Sequence, residues 1–587
     1  MSEFIRRGRE YLYDYCENTD RKKLIILLMI FVCIYSSWVL LIPGIPRGHD
    51  LTFHLSRISA IRDGLLLGEF PVKIYPNYFD GYGYANGLFY PDIFLYLPAV
   101  LCIFGFKVIT SYKIFLFICT VCTALSMYYC VKDIFKSNYM ASLSMILYTL
   151  SSYRISNMYT RAALGEVLAF IFVPIVVLGI YKIIYEDYKK WYVLTIGFAG
   201  LFLSHFISTL LMVGFTAVIL ILTFKRLYKE PKRIVYLLLA TVVTISLVAF
   251  FMFPMLEQLL TEKFIVNTET TLSNVWNTTL PIYKVVFAIP YSLLSLKGVT
   301  GIGTVFILII YLRFRTKIPK ESKFVFVDKF IILGCLAIIA VTKIFPWKLI
   351  LKFVRQLSVI QFSWRLFLFV TLFLSLSGGV VVYFYAKTNK KKINMFIIVS
   401  MLSILSCSTN MFAQYLFYGY TYYKGLYNIS IEPYKIGFGE YLPEDTDKEM
   451  LFERGDVITS NNNINYNFSR EGTTLKIKFS NNNYNNTYLD LPLLYYKGYE
   501  ANYKNNVNNI VLPIIKGDNN IIRVKLGKYR DGEITVRYNG TLIQRLSGIV
   551  SALSLIIFII YMMKIKILNK RRRKYENEKI IYNNTNV

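Results

Sequence analysis

Acidic residues, histidines and cysteines are all scarce in this chain. Its 587 residues hold 36 Asp and Glu against 66 Lys and Arg, a formal charge of +30, and only three His. The eight Cys sit mainly inside apolar stretches, among them Cys33, Cys119, Cys122 and Cys335, and none follows Cys407. That pattern excludes a disulfide framework and a soluble zinc site with ligands at recognisable spacing. No internal repeat of fixed period is present. Gly (32) and Pro (17) are too ordinary for a fibrous or low-complexity protein. What remains is apolar: 55% of the residues, with 17% aromatic and a mean hydropathy of +0.45, more than a water-soluble surface permits.

The positive balance does not imply nucleic acid, because Lys and Arg fall in short clusters between apolar runs, the positive-inside pattern of a polytopic membrane protein. The first run, 24–42, follows Arg6, Arg7, Arg9, Arg21, Lys22 and Lys23 and lacks a small-x-small cleavage site, so it reads as a signal anchor with its N-terminus inside. Gaps at Lys132 and Lys136, at Lys182, Lys189 and Lys190, and at 225–233, 313–323, 387–392 and 564–574 read as cytoplasmic. Outward gaps are 47–110, 153–165, a turn at Ser204 and His205, 257–300, 343–365 and 414–546. The expectation is an α-helical multi-pass protein of the cell membrane with about twelve spans of roughly 16 to 23 residues and both termini cytoplasmic. Segment 89–104, with Pro91, Pro98 and Asp92, is expected as a half-embedded outer helix.

Near the C-terminus the pattern changes to period two, as in 475–479 and 521–526, with Gly517-Asp518 and Asp531-Gly532 as hairpin turns. The chain therefore divides into a basic N-terminus (1–23), a transmembrane domain (24–413) with a large first outer loop (44–109), a small extracytoplasmic antiparallel β-domain (414–545), a last span (546–563) and a basic tail (564–587).

Chemistry-bearing residues concentrate in the outward gaps. In Arg47-Gly48-His49-Asp50-Leu51-Thr52-Phe53-His54, a helix starting near Asp50 puts His54 one turn along the same face and Arg57 beyond it; Asp50 as a plain helix cap is the competing reading. All three His (His49, His54, His205) fall at the outer boundary. Further on, Gly81-Tyr82-Gly83-Tyr84 and Phe89-Tyr90-Pro91-Asp92 offer flat aromatic faces beside close-approach backbone, suited to sugar rings or lipid headgroups; an interface belt is the alternative. Arg161 and Glu166 lie where ionisation is costly, so each needs a task or a partner, which could be the other. Gln361-Phe362-Ser363-Trp364-Arg365 follows Lys343, Lys348, Lys352 and Arg355, outward cations that an anionic lipid ligand or ordinary headgroups would explain.

Together, Gly48-His49-Asp50, Phe53-His54, Arg57, Gly68-x-Phe70-Pro71, Gly81–Tyr84, Phe89–Asp92, the 161–166 and 361–365 segments, and a terminal β-domain with Leu491-Pro492-Leu493-Leu494-Tyr495-Tyr496 resemble bacterial YfhO-type membrane proteins. These are also labelled 6-pyruvoyl-tetrahydropterin synthase-related. Such proteins resemble the GT-C glycosyltransferase superfamily, and that resemblance implies a GT-C-like membrane enzyme using a polyprenyl-phosphate sugar donor and a cell-envelope glycan or lipid acceptor. Asp50 matches the acidic residue of the first outer loop; Glu166 and Asp92 are candidates for a second, and a divalent ion (Mg or Mn) on Asp50 and Glu166 is the metal expectation. The catalytic set is then Asp50, His54 and Glu166. The substrate set is His49, Arg57, Tyr82, Tyr84, Tyr90, Asp92, Arg161, His205, Gln361, Trp364 and Arg365. Membrane lipids are partners and nucleic acid is not. The rival readings are a flippase or transporter of lipid-linked saccharides and a noncatalytic envelope assembly factor. Against a flippase, the centres of 24–42, 234–253, 366–383 and 396–404 carry no charge.

Overall fold

The computed structural model describes residues 22–268, 272–288, 301–413, 420–421, 439–461, 464–481 and 487–585. Among them six helices are long and apolar enough to cross a membrane: Val108–Phe135, Leu164–Tyr185, Lys232–Thr261, Ser363–Tyr385, Asn389–Phe412 and Leu542–Leu568. The chain is a membrane protein on that ground. These helices are six of the expected twelve, and two features set the remaining apolar runs of the described residues apart. The first apolar run is broken: its helix covers only Lys22–Tyr35, 14 residues, before a turn and the short helix Trp38–Leu41, so it rises about 21 Å against a hydrocarbon core of about 30 Å. Other apolar runs are covered by protein. Asn138–Thr149 and Ser152–Tyr159, every residue of which is buried, have 12 and 8 residues, a rise of about 18 and 12 Å.

The long helices fall into two groups. Ser363–Tyr385 is almost wholly enclosed, whereas Lys232–Thr261 and Leu542–Leu568 pack on one another and leave most of their apolar surface uncovered. On the first of these, Val235, Leu238 and Val242 are exposed, a face suited to lipid. Segment 89–104 forms the short helices Ile93–Leu95 and Tyr96–Ile103. Ile93, Leu97, Val100 and Phe104 are exposed at spacings of four, three and four residues, one helical stripe.

The C-terminal β-region consists of two antiparallel sheets. One orders Thr459–Ser460, Tyr488–Leu494, Ile521–Lys525 and Ile514–Lys516; the other orders Ile464–Glu471, Thr474–Asn481, Asp531–Tyr538, Tyr499–Lys504 and Asn509–Leu512. Alternation sets the inner faces, with Leu475, Ile477, Ile534 and Val536 from one sheet and Leu489, Leu491, Ile522 and Val524 from the other fully buried. Gly517-Asp518 does turn between paired strands. Asp531-Gly532 does not: both residues pair within the ladder, Gly532 opposite Phe479. A Cβ on Gly532 would come 2.5 Å from the Tyr503 ring, so that glycine answers a close approach across the sheet and not a turn.

Candidate functional site at the first outer loop

Gly48 sets the geometry. A side chain there would put its Cβ 2.5 Å from the Ala162 Cβ, so only glycine lets this strand of backbone lie against the 160–162 turn. The N–H groups of His49 and Asp50 then donate to the carbonyls of Thr160 (3.1 Å) and Arg161 (2.9 Å). Asp50 precedes the helix Leu51–Leu66, yet its carboxylate makes no capping hydrogen bond, which removes the reading of this residue as a plain cap. Half-buried beside Arg161, the carboxyl is pushed above its ordinary range by burial, with Arg161, His49 and Arg365 pulling the other way and Glu166 adding to the rise. His49 itself is exposed.

Glu166 opens the span Leu164–Tyr185 and is completely engaged. Oε1 accepts from Arg161 Nη1 (2.7 Å) and lies 3.4 Å from Arg365 Nε; Oε2 accepts from Tyr153 Oη (2.5 Å) and Asn157 Nδ2 (3.2 Å). Arg161 also donates to Asn157 Oδ1 at 2.6 Å. Arg365 donates through Nη1 to Gln361 Oε1 (2.6 Å) and Ile360 O (3.0 Å), and Trp364 stacks on Phe362 at 4.7 Å. His205 precedes the helix Phe206–Leu222 and caps it through Nδ1 to the Ser208 amide. Its ring and the Tyr90 hydroxyl both crowd Gly165, where a Cβ would lie 2.9 and 2.6 Å from them. Asp50, Arg161, Glu166, His205, Arg365 and Tyr90 are thus one cluster drawn from four distant segments.

A second shell of the same loop is closed on itself. Arg57 donates to Asp92 Oδ1 from Nη2 (2.5 Å) and Nε (3.1 Å) and to Pro91 O, with its guanidinium 4.1 Å above the Tyr90 ring. Tyr75 donates to the other Asp92 oxygen at 2.6 Å. Burial holds the His54 imidazole well below its ordinary pKa, so it is neutral and accepts at one nitrogen only. Its 3.2 Å contacts, Leu164 N–H at Nε2 and Arg57 Nη1 at Nδ1, are therefore alternatives. Either way His54 braces the turn that carries Arg161 and Glu166 and does not hold the Asp50 carboxylate.

Two further sets of residues marked along the sequence have their partners in the fold. Tyr82 and Tyr84 are fully buried: the Tyr82 hydroxyl donates to Gly455 O, Tyr84 Oη accepts from the Tyr441 amide, and Leu494 N–H donates to Tyr82 O. Their rings fasten the outer loop to the β-region and leave no free face for a sugar. Nor do Asp50 and Glu166 fit a divalent ion. Both Glu166 oxygens are taken by Arg161, Tyr153 and Asn157, and among the described residues no group of three His, Cys, Asp or Glu could hold a metal. Tyr153 and Asn157 escaped the sequence reading, although they lie four residues apart on one face of the helix Ser152–Tyr159, with Arg161 four residues further on, just past its end.

A family profile matches residues 17–313, a little over half of the chain. The chain belongs to DUF6541, a family of unknown function. The profile does not name the YfhO-type group which the motifs resemble. A relative in Lactococcus lactis subsp. cremoris (strain MG1363), itself an uncharacterized protein, is 27% identical over 345 residues, 55% of this chain; the chain spans about half (54%) of that relative's length. Two solved structures are loosely similar. The archaeal oligosaccharyltransferase AglB from Archaeoglobus fulgidus, in complex with an inhibitory peptide and a dolichol-phosphate, aligns at 10% identity and a TM-score of 0.37 over 68% of this chain and 57% of its own. An apo oligosaccharyltransferase from the same organism aligns at 11% and 0.34, over 66% and 56%. No residue role is carried over from either.

Proposed function

We propose that this protein is a GT-C-type membrane glycosyltransferase that moves a sugar from a polyprenyl-phosphate donor to a hydroxyl of a cell-envelope glycan or lipid, at the outer face, with Asp50 as general base. One observation carries the reading. Among the described residues Asp50 does not cap its helix and no side-chain bond to its carboxylate is seen, while Glu166 and the nearby Asp92 are consumed by their partners. Its raised pKa brings it closer to neutrality, where a carboxylate that is still ionised is a better proton acceptor.

The charges balance along the reaction. Arg161 and Arg365 share the single Glu166, which leaves one positive charge facing Asp50. As the acceptor oxygen attacks the anomeric carbon, its proton passes to Asp50, and the bond between the anomeric carbon and the phosphate oxygen breaks with its electron pair moving to the lipid phosphate. Asp50 becomes neutral as negative charge grows on the leaving group, and the uncompensated guanidinium charge is then available to stabilise it. Gln361 holds Arg365 through its side-chain oxygen. His54, Arg57 and Asp92 keep the two loops in register.

The test is release of polyprenyl phosphate from lipid-linked sugars by the purified chain. Transfer is expected in the wild type and a loss of at least a hundredfold in Asp50→Asn, with membrane expression unchanged. Equal transfer in the variant removes Asp50 from the reaction. Lipid movement without bond cleavage selects the flippase.

A further inference from the structure

Arg57, Arg154 and Arg161 are buried and Arg365 is largely so, and three of the four have a carboxylate: Arg57 has Asp92, while Arg161 and Arg365 have Glu166. Arg154 has none. On the enclosed helix Ser152–Tyr159, its side chain is completely buried. Nη1 donates to Thr149 O (3.0 Å) and Nη2 to Thr120 Oγ1 (2.7 Å), and Nε has no partner. A guanidinium has five N–H donors, so two polar contacts, both to neutral oxygens, leave the charge itself uncompensated. Thr120 lies 12 residues into the span Val108–Phe135, about 18 Å along it, deep in the apolar part of the bundle. A lone cation there is costly, and its presence calls for a task and a counter-charge.

We infer that Arg154 holds a small monoanion of the halide class between the helices Lys22–Tyr35, Val108–Phe135 and Asn389–Ala413. The groups that act on it from these elements are Cys33, Cys119 and Cys407, with Tyr159 from its own helix. All are uncharged at neutral pH in their ordinary range. A single cation with no acid beside it takes a single negative charge; a phosphate dianion would replace one uncompensated charge with another. Thiols are weak donors, and apolar walls favour an ion that sheds its water readily, so chloride or bromide matches the surroundings better than phosphate. Water alone would satisfy the N–H groups and leave the charge. The site is separate from the proposed glycosyl transfer: the neighbouring Tyr153 points to Glu166, while Arg154 reaches Thr120.

The experiment uses the full chain in detergent micelles. Chloride is exchanged for gluconate at constant ionic strength and Tm is read from intrinsic fluorescence. Wild-type Tm is expected to rise with chloride and saturate, with bromide able to substitute. Arg154→Gln loses that dependence, and Arg545→Gln, at an exposed arginine, keeps it. If Arg154→Gln does not accumulate, Thr120→Val serves, because it keeps the cation and removes one of its anchors; the half-saturating chloride concentration then shifts at least threefold. A wild type indifferent to both halides overturns the inference, as does a response that Arg154→Gln retains or an unshifted midpoint in Thr120→Val.

Discussion

The charged cluster around Asp50 and the glycine-aromatic loop at 81–84 belong to one connection between helices, yet they solve opposite problems. The cluster buries ions and satisfies all but one of its carboxylates, so that Asp50 stands out with unspent hydrogen-bonding capacity. The loop buries aromatic rings and satisfies each polar tip against the β-region: Tyr82 on Gly455, Tyr84 on Tyr441, and Arg470 on Gly81 O at 2.6 Å. Residue type alone does not separate a site from a fastening. What separates them is whether a polar group has been left without a partner.

The largest effect expected on this contrast comes from Glu166→Gln. It leaves Arg161 and Arg365 buried with no carboxylate between them, a loss on the order of 3–5 kcal/mol when a buried pair is broken on one side. Unfolding in detergent should show it, and transfer should fall with it. A variant as stable as the wild type would mean that Glu166 does not hold the two cations. Next in size is Arg470→Leu. It removes donors to Gly81 O and Pro492 O together with the Asp456 contact, about 1.5–3 kcal/mol for charge-assisted bonds. Faster proteolysis between the outer loop and the β-region is the expected readout. Smaller again is Tyr82→Phe, about 1 kcal/mol for one hydrogen bond, with transfer unchanged. A selective rise in donor KM in that variant would restore Tyr82 as a sugar platform and break the contrast.

Much of this arrangement was legible along the chain, and the failures share one cause. Asp50, Arg161, Glu166, His205 and Arg365 could each be marked because an ionisable group at the edge of an apolar run is costly wherever it ends up. Strands 475–479 and 521–526 could be marked because a half-buried strand alternates. Pairing was not legible. Tyr82 and Tyr84 read as open faces because the amides and carbonyls that claim their hydroxyls come from more than 350 residues away. Hydropathy counted helices such as Asn138–Thr149 as spans because it records apolarity and not whether lipid or protein supplies the cover. Arg154, one residue from Tyr153, passed unremarked for the same reason: the absence of a carboxylate near it becomes visible only when the neighbouring helices are in place.

A pH-dependent effect sharpens the contrast from the loop's side. Glu69, like Asp50, has its carboxyl raised by burial, but no cation offsets the shift, and it reaches about 7 from an ordinary 4.5. Between those values the folded state keeps a proton that the unfolded state has released, so stability falls as pH rises through this window and levels off above about 7. Glu69→Gln cannot ionise. The Tm difference between variant and wild type should therefore grow from near pH 4.5 to near 7 and then stay constant, whatever other groups titrate in both proteins. A difference that is flat across the window would mean that the side chain finds a cation or water in solution. Burial alone could then no longer be taken as the source of the rise at Asp50, and the pull of Arg161 and Arg365 on that carboxylate would have to be weighed again.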